Sequence, residues 1–282
     1  PRCSTASRTA CDTRVPTGWS ESGPNESWPA SAAQLANAGL PADAPALWHA
    51  RAGWGRPSRL IEGWLGEPGI EFRGNAPVAR LSRSAAGWQL WDAADRLLAE
   101  ADRVVIAAGY ESGRFAPELP LQPVRGQVAW GRMADDLALP ATPLNGAGHL
   151  IAHVHGGEGA LLWLCGATFD RDSTDLAPHA NDAEANKERL KRLHPGAAAT
   201  LAPAFESGEA EHWVGIRCAS GDRRPLVGAL NEAGLWACTA LGSRGLSFAA
   251  LCAELLAAQW HGEPLPLPAN LAKALGTERT AP

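Results

Sequence analysis

Long apolar runs are missing from this chain of 282 residues. No stretch approaches the roughly 20 residues needed to cross a bilayer, and no basic segment followed by an apolar one opens it. Excess positive charge is missing too. With 25 Lys and Arg against 30 Asp and Glu, the net charge is -5, so any nucleic-acid contact must come from a local patch. Basic residues do cluster at 187–192 and 217–224. Cysteine is sparse: the six residues at 3, 11, 165, 218, 238 and 252 show no Cys-x-x-Cys spacing. That argues against a zinc centre or a disulfide framework, and for buried thiols in a reducing, cytoplasmic setting. No internal repeat is present.

What is there is a 45% hydrophobic, globular composition of a size that fits one large domain or two closely packed ones. Residues 1–30 are rich in Ser, Thr, Arg, Pro and Gly without hydrophobic periodicity, and read as an irregular or non-native lead. From there a short helix is expected at 31–40. A better one is expected at 57–65, with Pro57 at its first position and Gly66 and Gly69 beyond its end. Short segments at 70–73, 77–81, 87–91 and 97–100, separated by turn residues, predict an antiparallel meander. The continuous apolar run 102–109 predicts a strand buried on both faces. Strands at 124–130, 149–154, 160–166 and 211–217 supply a second, antiparallel sheet. A charged surface helix at 181–193, ended by His194, Pro195 and Gly196, interrupts that set. The last long helix, 245–260, is apolar nearly all round and must be buried. Beyond it, 264–268 is extended and 276–282 reads as a tail.

The strand 235–241 runs through Gly242 and Gly245 directly into that apolar helix, and no acidic side chain occurs after 245 until Glu254. Glycines allow close backbone approach. An uncapped helix start presents bare N–H groups and the positive end of the helix dipole, so this turn attracts negative charge. An ordinary strand-to-helix connection has the same pattern. Arg217 is the other unusual residue: an arginine within an apolar strand is costly unless it meets an anion or faces water at a sheet edge.

Together, residues 104–109, 123–127, 215–217 with 222–228, and 242–246 occur in the order seen in D-amino-acid-oxidase-like flavoproteins, and the chain resembles that family from about 46 to 275. Residues 166–172 and 262–267 bring it nearest the branch that acts on tRNA wobble uridine. The resemblance implies a mixed α/β fold, with a Rossmann-type FAD-binding domain (parts at about 46–110 and 222–262) and an antiparallel-sheet substrate domain (about 111–221). It implies FAD as cofactor, tRNA as substrate, and oxidation of a secondary amine that carries a carboxymethyl arm. By position, Arg217 matches the substrate carboxylate-binding arginine. Gly242, Ser243, Arg244, Gly245 and Leu246 match the turn at the flavin's pyrimidine edge. Arg125, Gly126, Gln127, Pro225 and Gly228 match strands near the isoalloxazine, and Ala108 and Gly109 match a turn near the ADP half.

One departure stands out. The first strand, the G-x-G-x-x-G helix and the acidic residue that follows them in this family have no counterpart here, and residues 1–30 cannot supply them. The chain therefore reads as an N-terminally truncated, incomplete flavoprotein, with a methyltransferase domain joined N-terminally in the parent. A small-molecule amine or amino-acid oxidase, and a non-catalytic remnant, are the alternatives. Of the remaining residues, His149, His153 and His155 lack partners for a metal site, and Asp170, Asp172 and Asp175 lack the EF-hand spacing. Trp88, Trp91, Trp130, Trp163, Trp213 and Trp236 fall on expected strands and are read mostly as core. Arg189, Lys191 and Arg192 form a basic patch on the surface helix.

Overall fold

The computed structural model describes residues 10–12 and 26–280, and the chain forms two compact units. One takes the residues up to 63 together with 126–169 and 176–215; the other takes 64–125, 170–175 and 216 onward. These cuts differ from the expected 110/111 and 221/222 borders. The strands Leu121–Arg132 and Glu211–Ser220 each begin in one unit and end in the other.

The first unit is built on a sheet whose strands follow the order Leu121–Arg132 (from Gly126 on), Leu161–Gly166, His149–His155, Leu144–Asn145, Ala10–Asp12, Leu47–His49 and Ser27–Pro29. Neighbours pair antiparallel except Ala10–Asp12 with Leu144–Asn145, which pair parallel. Alternation sends Leu150, Ala152 and Val154 inward and leaves His149, Ile151 and His153 half-buried. Two helices, Ala180–Leu193 and Pro195–Ser207, supply Leu190, Leu193, Ala197 and Leu201 to one core with Leu144, Leu150 and Trp163. Each fully buried leucine there contributes about 1.5–3 kcal/mol.

The second helix of that pair is not foreseen from the sequence, because His194-Pro195-Gly196 reads as a stop. Proline is tolerated at the first helical position, where its missing N–H has no partner to lose. His194 then serves both helices: its N–H bonds Leu190 O at 2.7 Å, and its Nδ1 accepts from Ala197 N at 2.9 Å. Within the expected lead, Ala10–Asp12 and Ser27–Pro29 are strands, while 1–9 and 13–25 lie outside the described residues.

The second unit holds a three-stranded sheet ordered Leu226–Ala229, Leu235–Thr239, Val104–Ile106. The last two pair parallel, in register Leu235 with Val104 and Ala237 with Ile106. The helix Gly245–His261 packs Cys252, Leu255 and Leu256 against Val227, with Ala272 and Leu275 in the same cluster. A meander of Arg80–Ser84, Gly87–Trp91 and Leu97–Ala101 is present, its first strand starting three residues later than the expected 77–81. It is fastened by Trp88 Nε1 and Arg83 Nη1, which both donate to Ala233 O at 3.0 Å.

Two expectations fail here. Residues 70–73 form no strand: Ile70 and Phe72 are exposed and pair with nothing in the sheet. The chain beyond 268 does not leave the fold, since Ala269–Lys273 is helical and Thr277 Oγ1 donates to Ala229 O at 2.6 Å. Trp213 also departs from the reading of the tryptophans as core, being 62% exposed.

Candidate functional site

The parallel pair decides where a site can form in the second unit. Val104–Ile106 and Leu235–Thr239 deliver their carboxyl ends side by side, and in open α/β sheets ligands bind beyond those ends. The first strand opens into Ala107, Ala108 and Gly109, all exposed, ahead of the 3-10 turn Gly109–Arg114. The second opens into Ala240 and Gly242, then the 3-10 turn Gly242–Arg244 and the long helix. Gly109 and Gly242 both have φ +58°, the left-handed region that glycine tolerates, and neither has an atom within 4 Å of where a Cβ would sit. The space in front of both turns is open.

A buried polar chain fixes the two turns to each other. Ala108 N donates to Ser112 Oγ at 3.1 Å, Ser112 Oγ donates to Thr239 Oγ1 at 3.2 Å, and Thr239 Oγ1 donates to Gly109 O at 2.9 Å. Cys218 Sγ lies 3.6 Å from the same Thr239 Oγ1, and burial pushes its thiol pKa up. Thr239 therefore joins the Gly109 turn, the strand that carries Arg217, and the turn at 242–245. Sequence reasoning misses Thr239, a lone hydroxyl at the end of an apolar strand, and Ser112, which lies inside a 3-10 turn.

At the helix start, Arg244 occupies the cap position without a side-chain cap, and the first turn contains no carboxylate. Ser243 and Arg244 are exposed, and Leu246 is 58% exposed although it is apolar. Arg244 is held in place: its Nη2 donates to Arg223 O at 2.7 Å and its guanidinium stacks on Phe248, 5.1 Å from the ring centroid. This links the 242–245 turn to the 220–225 turn.

Arg217 is half-buried, and its Nη1 is buried without a hydrogen-bond partner. Desolvation lowers its pKa from the ordinary arginine value, which is the signature of a cation lacking its anion. No carboxylate in the described residues ion-pairs with it, whereas Arg224 and Arg279 both reach Asp222.

The other sequence-predicted residues divide. Arg125 and Gln127 are fully buried and committed to one neighbouring segment. Arg125 Nε donates to Asp175 O at 2.7 Å; Gln127 Nε2 donates to His179 O at 3.1 Å and its Oε1 accepts from His179 N at 2.8 Å. Gly126 between them is buried as well. Pro225 is buried at the foot of Leu226–Ala229, and Gly228, at φ +151°, faces Thr277 Oγ1 at 3.1 Å from its absent Cβ. The structure thus ties Ala108 and Gly109 to the strand end that precedes the 242–246 turn, and Arg217 is the strand neighbour of Cys218, which touches the same Thr239. Arg125, Gly126, Gln127, Pro225 and Gly228 are buried within strands or at their ends.

The 220–225 turn is braced by Asp222, which accepts from Arg279 Nε and Nη2 at 3.1 Å each and from Ser220 Oγ at 2.8 Å. These contacts, the Arg279 hydrogen bonds foremost, hold its pKa far below the usual carboxylate range. A depressed folded-state pKa stabilises the protein above the unfolded value, near pH 4, and that contribution is lost as the pH falls below it. We expect Asp222→Asn to cost about 1 kcal/mol at pH 7, discounted for solvent screening of a partly exposed pair, and to flatten the acid limb of the stability curve. Chemical denaturation of both proteins at pH 7 and pH 3 checks this.

Elsewhere, His153 sits at a bulge with φ +55°, its Nε2 3.3 Å from Leu139 O. Among the described residues no group of three or more His, Cys, Asp or Glu is placed to hold a metal ion. Cys165, Cys218, Cys238 and Cys252 are free thiols, and burial pushes the Cys165 pKa up to about 12.

The chain has a mixed α/β fold, with a parallel strand pair in one unit and a mainly antiparallel sheet in the other. A family model described as FAD dependent oxidoreductase (DAO) matches residues 6–259, and the chain belongs to that family. It is 46% identical over 258 residues to the tRNA 5-methylaminomethyl-2-thiouridine biosynthesis bifunctional protein MnmC of Polaromonas naphthalenivorans (strain CJ2), covering 88% of this chain and 40% of that protein. It is also 46% identical over 271 residues to the protein of that name from Polaromonas sp. (strain JS666 / ATCC BAA-500), covering 91% and 42%. The chain thus spans less than half the length of these curated relatives. Among solved structures, iminodiacetate oxidase from Chelativorans sp. BNC1 is similar in fold, with TM-score 0.65 at 21% identity over 86% of this chain and 66% of that one.

Proposed function

We infer that this chain is the FAD-dependent oxidoreductase part of a bifunctional tRNA-modifying protein. In this reading it removes the carboxymethyl group from carboxymethylaminomethyl(-2-thio)uridine at the wobble position and leaves the aminomethyl form. The reading rests on the family, on the relatives' names, and above all on Arg217, a half-buried cation with an unpartnered Nη1 that a carboxymethyl arm would satisfy. The residues fit the ring end of FAD. Open space in front of Gly109 and Gly242, together with a helix start free of acidic side chains, suits a flat, electron-accepting ring whose reduction develops negative charge.

Bound FAD would accept the hydride from the carbon between the substrate amine and carboxylate, after which water releases glyoxylate and leaves the primary amine. The chain's own part is orientation. Arg217 would hold the carboxylate by paired N–H donors and so fix the adjacent carbon; the amides of 242–246 would lie at the ring's pyrimidine edge; Ala108 and Gly109 would meet the cofactor's other half. Arg125, Gln127, Pro225 and Gly228 would hold the surrounding strands in place. A methyltransferase domain, N-terminally joined, would account for the second activity that the word bifunctional denotes in the relatives, and the cytoplasm is where such a tRNA substrate is met. No helix among the described residues is long and apolar enough to cross a membrane.

The test is product analysis. Protein loaded with FAD and incubated with tRNA bearing carboxymethylaminomethyluridine is expected to release glyoxylate and convert the nucleoside to its aminomethyl form. Turnover of free glycine or sarcosine with no change in the tRNA would assign the chain to the small-molecule oxidases instead.

A further inference from the structure

The first unit carries a cavity of about 320 Å³. Its walls include Pro178, His179, Glu184, Lys187, Phe205 and His212. His212 Nδ1 is buried with no hydrogen-bond partner. The wall carries one opposed charge pair, Lys187 Nζ lying 3.1 Å from Glu184 Oε2. An anion entering the cavity would therefore meet Glu184, and a cation would meet Lys187. A neutral, flat ring with both donors and acceptors on its edge has neither conflict. It can give to Glu184, take from Lys187 and satisfy His212, while its face lies against Phe205, which is itself backed by Trp163 at 5.8 Å between ring centroids. The size falls within the range of ligand sites, about 300–1,000 Å³.

We propose that this cavity receives an unpaired nucleobase of the RNA substrate, read on its edge by Lys187, Glu184 and His212. The proposal rests on the tRNA reading above. A wobble uridine lies in a single-stranded loop, and proteins read such loops by stacking splayed bases on aromatic side chains and bonding their edges. Exposed Lys191 and Arg192 on the same helix lie along the strand's path as phosphate contacts, which position the RNA without reading its sequence.

Binding of an anticodon stem-loop RNA to the full chain tests this, with the corresponding stem duplex, lacking a loop, as the reference. His212→Phe and Lys187→Met are each expected to weaken stem-loop binding about five- to tenfold, from the lost edge bonds. Ala183→Phe, which fills the cavity from its helical wall, is expected to weaken it at least tenfold by blocking the stack. Binding of the stem duplex should stay within twofold in all three. If the wild-type chain releases glyoxylate from tRNA yet all three variants bind the stem-loop like wild type, the cavity proposal fails and the tRNA reading stands. Equal weakening for stem-loop and duplex also overturns it. If the wild type neither binds the stem-loop nor acts on tRNA, both readings fall together.

Discussion

Arg217→Ala is expected to lower kcat/KM on a carboxymethylamine substrate at least a hundredfold, about 2.7 kcal/mol in transition-state stabilisation. A guanidinium Nη1 buried without a partner is a desolvated charge, and the depressed pKa of Arg217 records that penalty. In the proposed function a substrate carboxylate would remove that penalty on binding, and its contact with Arg217 would be worth more than an exposed pair. Truncation to alanine relieves the free protein of the same penalty. The variant should therefore be as stable as the wild type, or slightly more so, while it loses the substrate. Arg217→Lys keeps the charge but not the planar fork and should recover only part of the activity. A stable, fully active Arg217→Ala protein would remove this residue from the site.

The second large effect belongs to Thr239. Thr239→Val preserves shape and removes the hydroxyl that donates to Gly109 O and accepts from Ser112 Oγ, leaving the buried Ser112 hydroxyl without that acceptor and Gly109 O, in an exposed turn, without that donor. We expect a loss of about 1–2 kcal/mol, chiefly because the orphaned buried Ser112 hydroxyl keeps its desolvation cost. Thr239→Ser keeps the hydroxyl and should lose no more than about 1 kcal/mol, for the missing methyl group. The order of the two variants is the discriminating result. A packing role alone would make serine the worse substitution, because valine conserves volume. Because Thr239 also anchors the strand end before the 242–245 turn, Thr239→Val should weaken FAD binding in proportion, measurable by flavin fluorescence.

Much of the fold is legible from local pattern. Proline at the first position and glycines past the end mark the helix Pro57–Leu65, and turn residues bracket Gly87–Trp91. Both follow from rules that act within a few residues. The helix Pro195–Ser207 is not legible, because its start depends on His194 capping two helices at once, with His194 Nε2 also 3.2 Å from Ala38 O, 156 residues away in sequence. Residues 70–73 show the opposite failure: an alternating apolar pattern finds no neighbouring strand and stays out of the sheet. At the candidate site, Arg217 and the 242–245 turn announce themselves through cost and glycine spacing. Thr239 and Ser112 do not, since their meaning lies in a contact across 127 residues of sequence that no local period encodes. Arg125 and Gln127 stand out only through family resemblance, and their side chains prove to be tied to the backbone at 175 and 179.

The most direct measurement is anaerobic mixing of the FAD-loaded protein with tRNA carrying carboxymethylaminomethyluridine, followed by flavin absorbance. The account predicts stoichiometric bleaching with that tRNA, none with tRNA already in the aminomethyl form, and at least a hundredfold slower bleaching in Arg217→Ala. A flavin that stays oxidised with the carboxymethylated tRNA but bleaches with a free amino acid would contradict it.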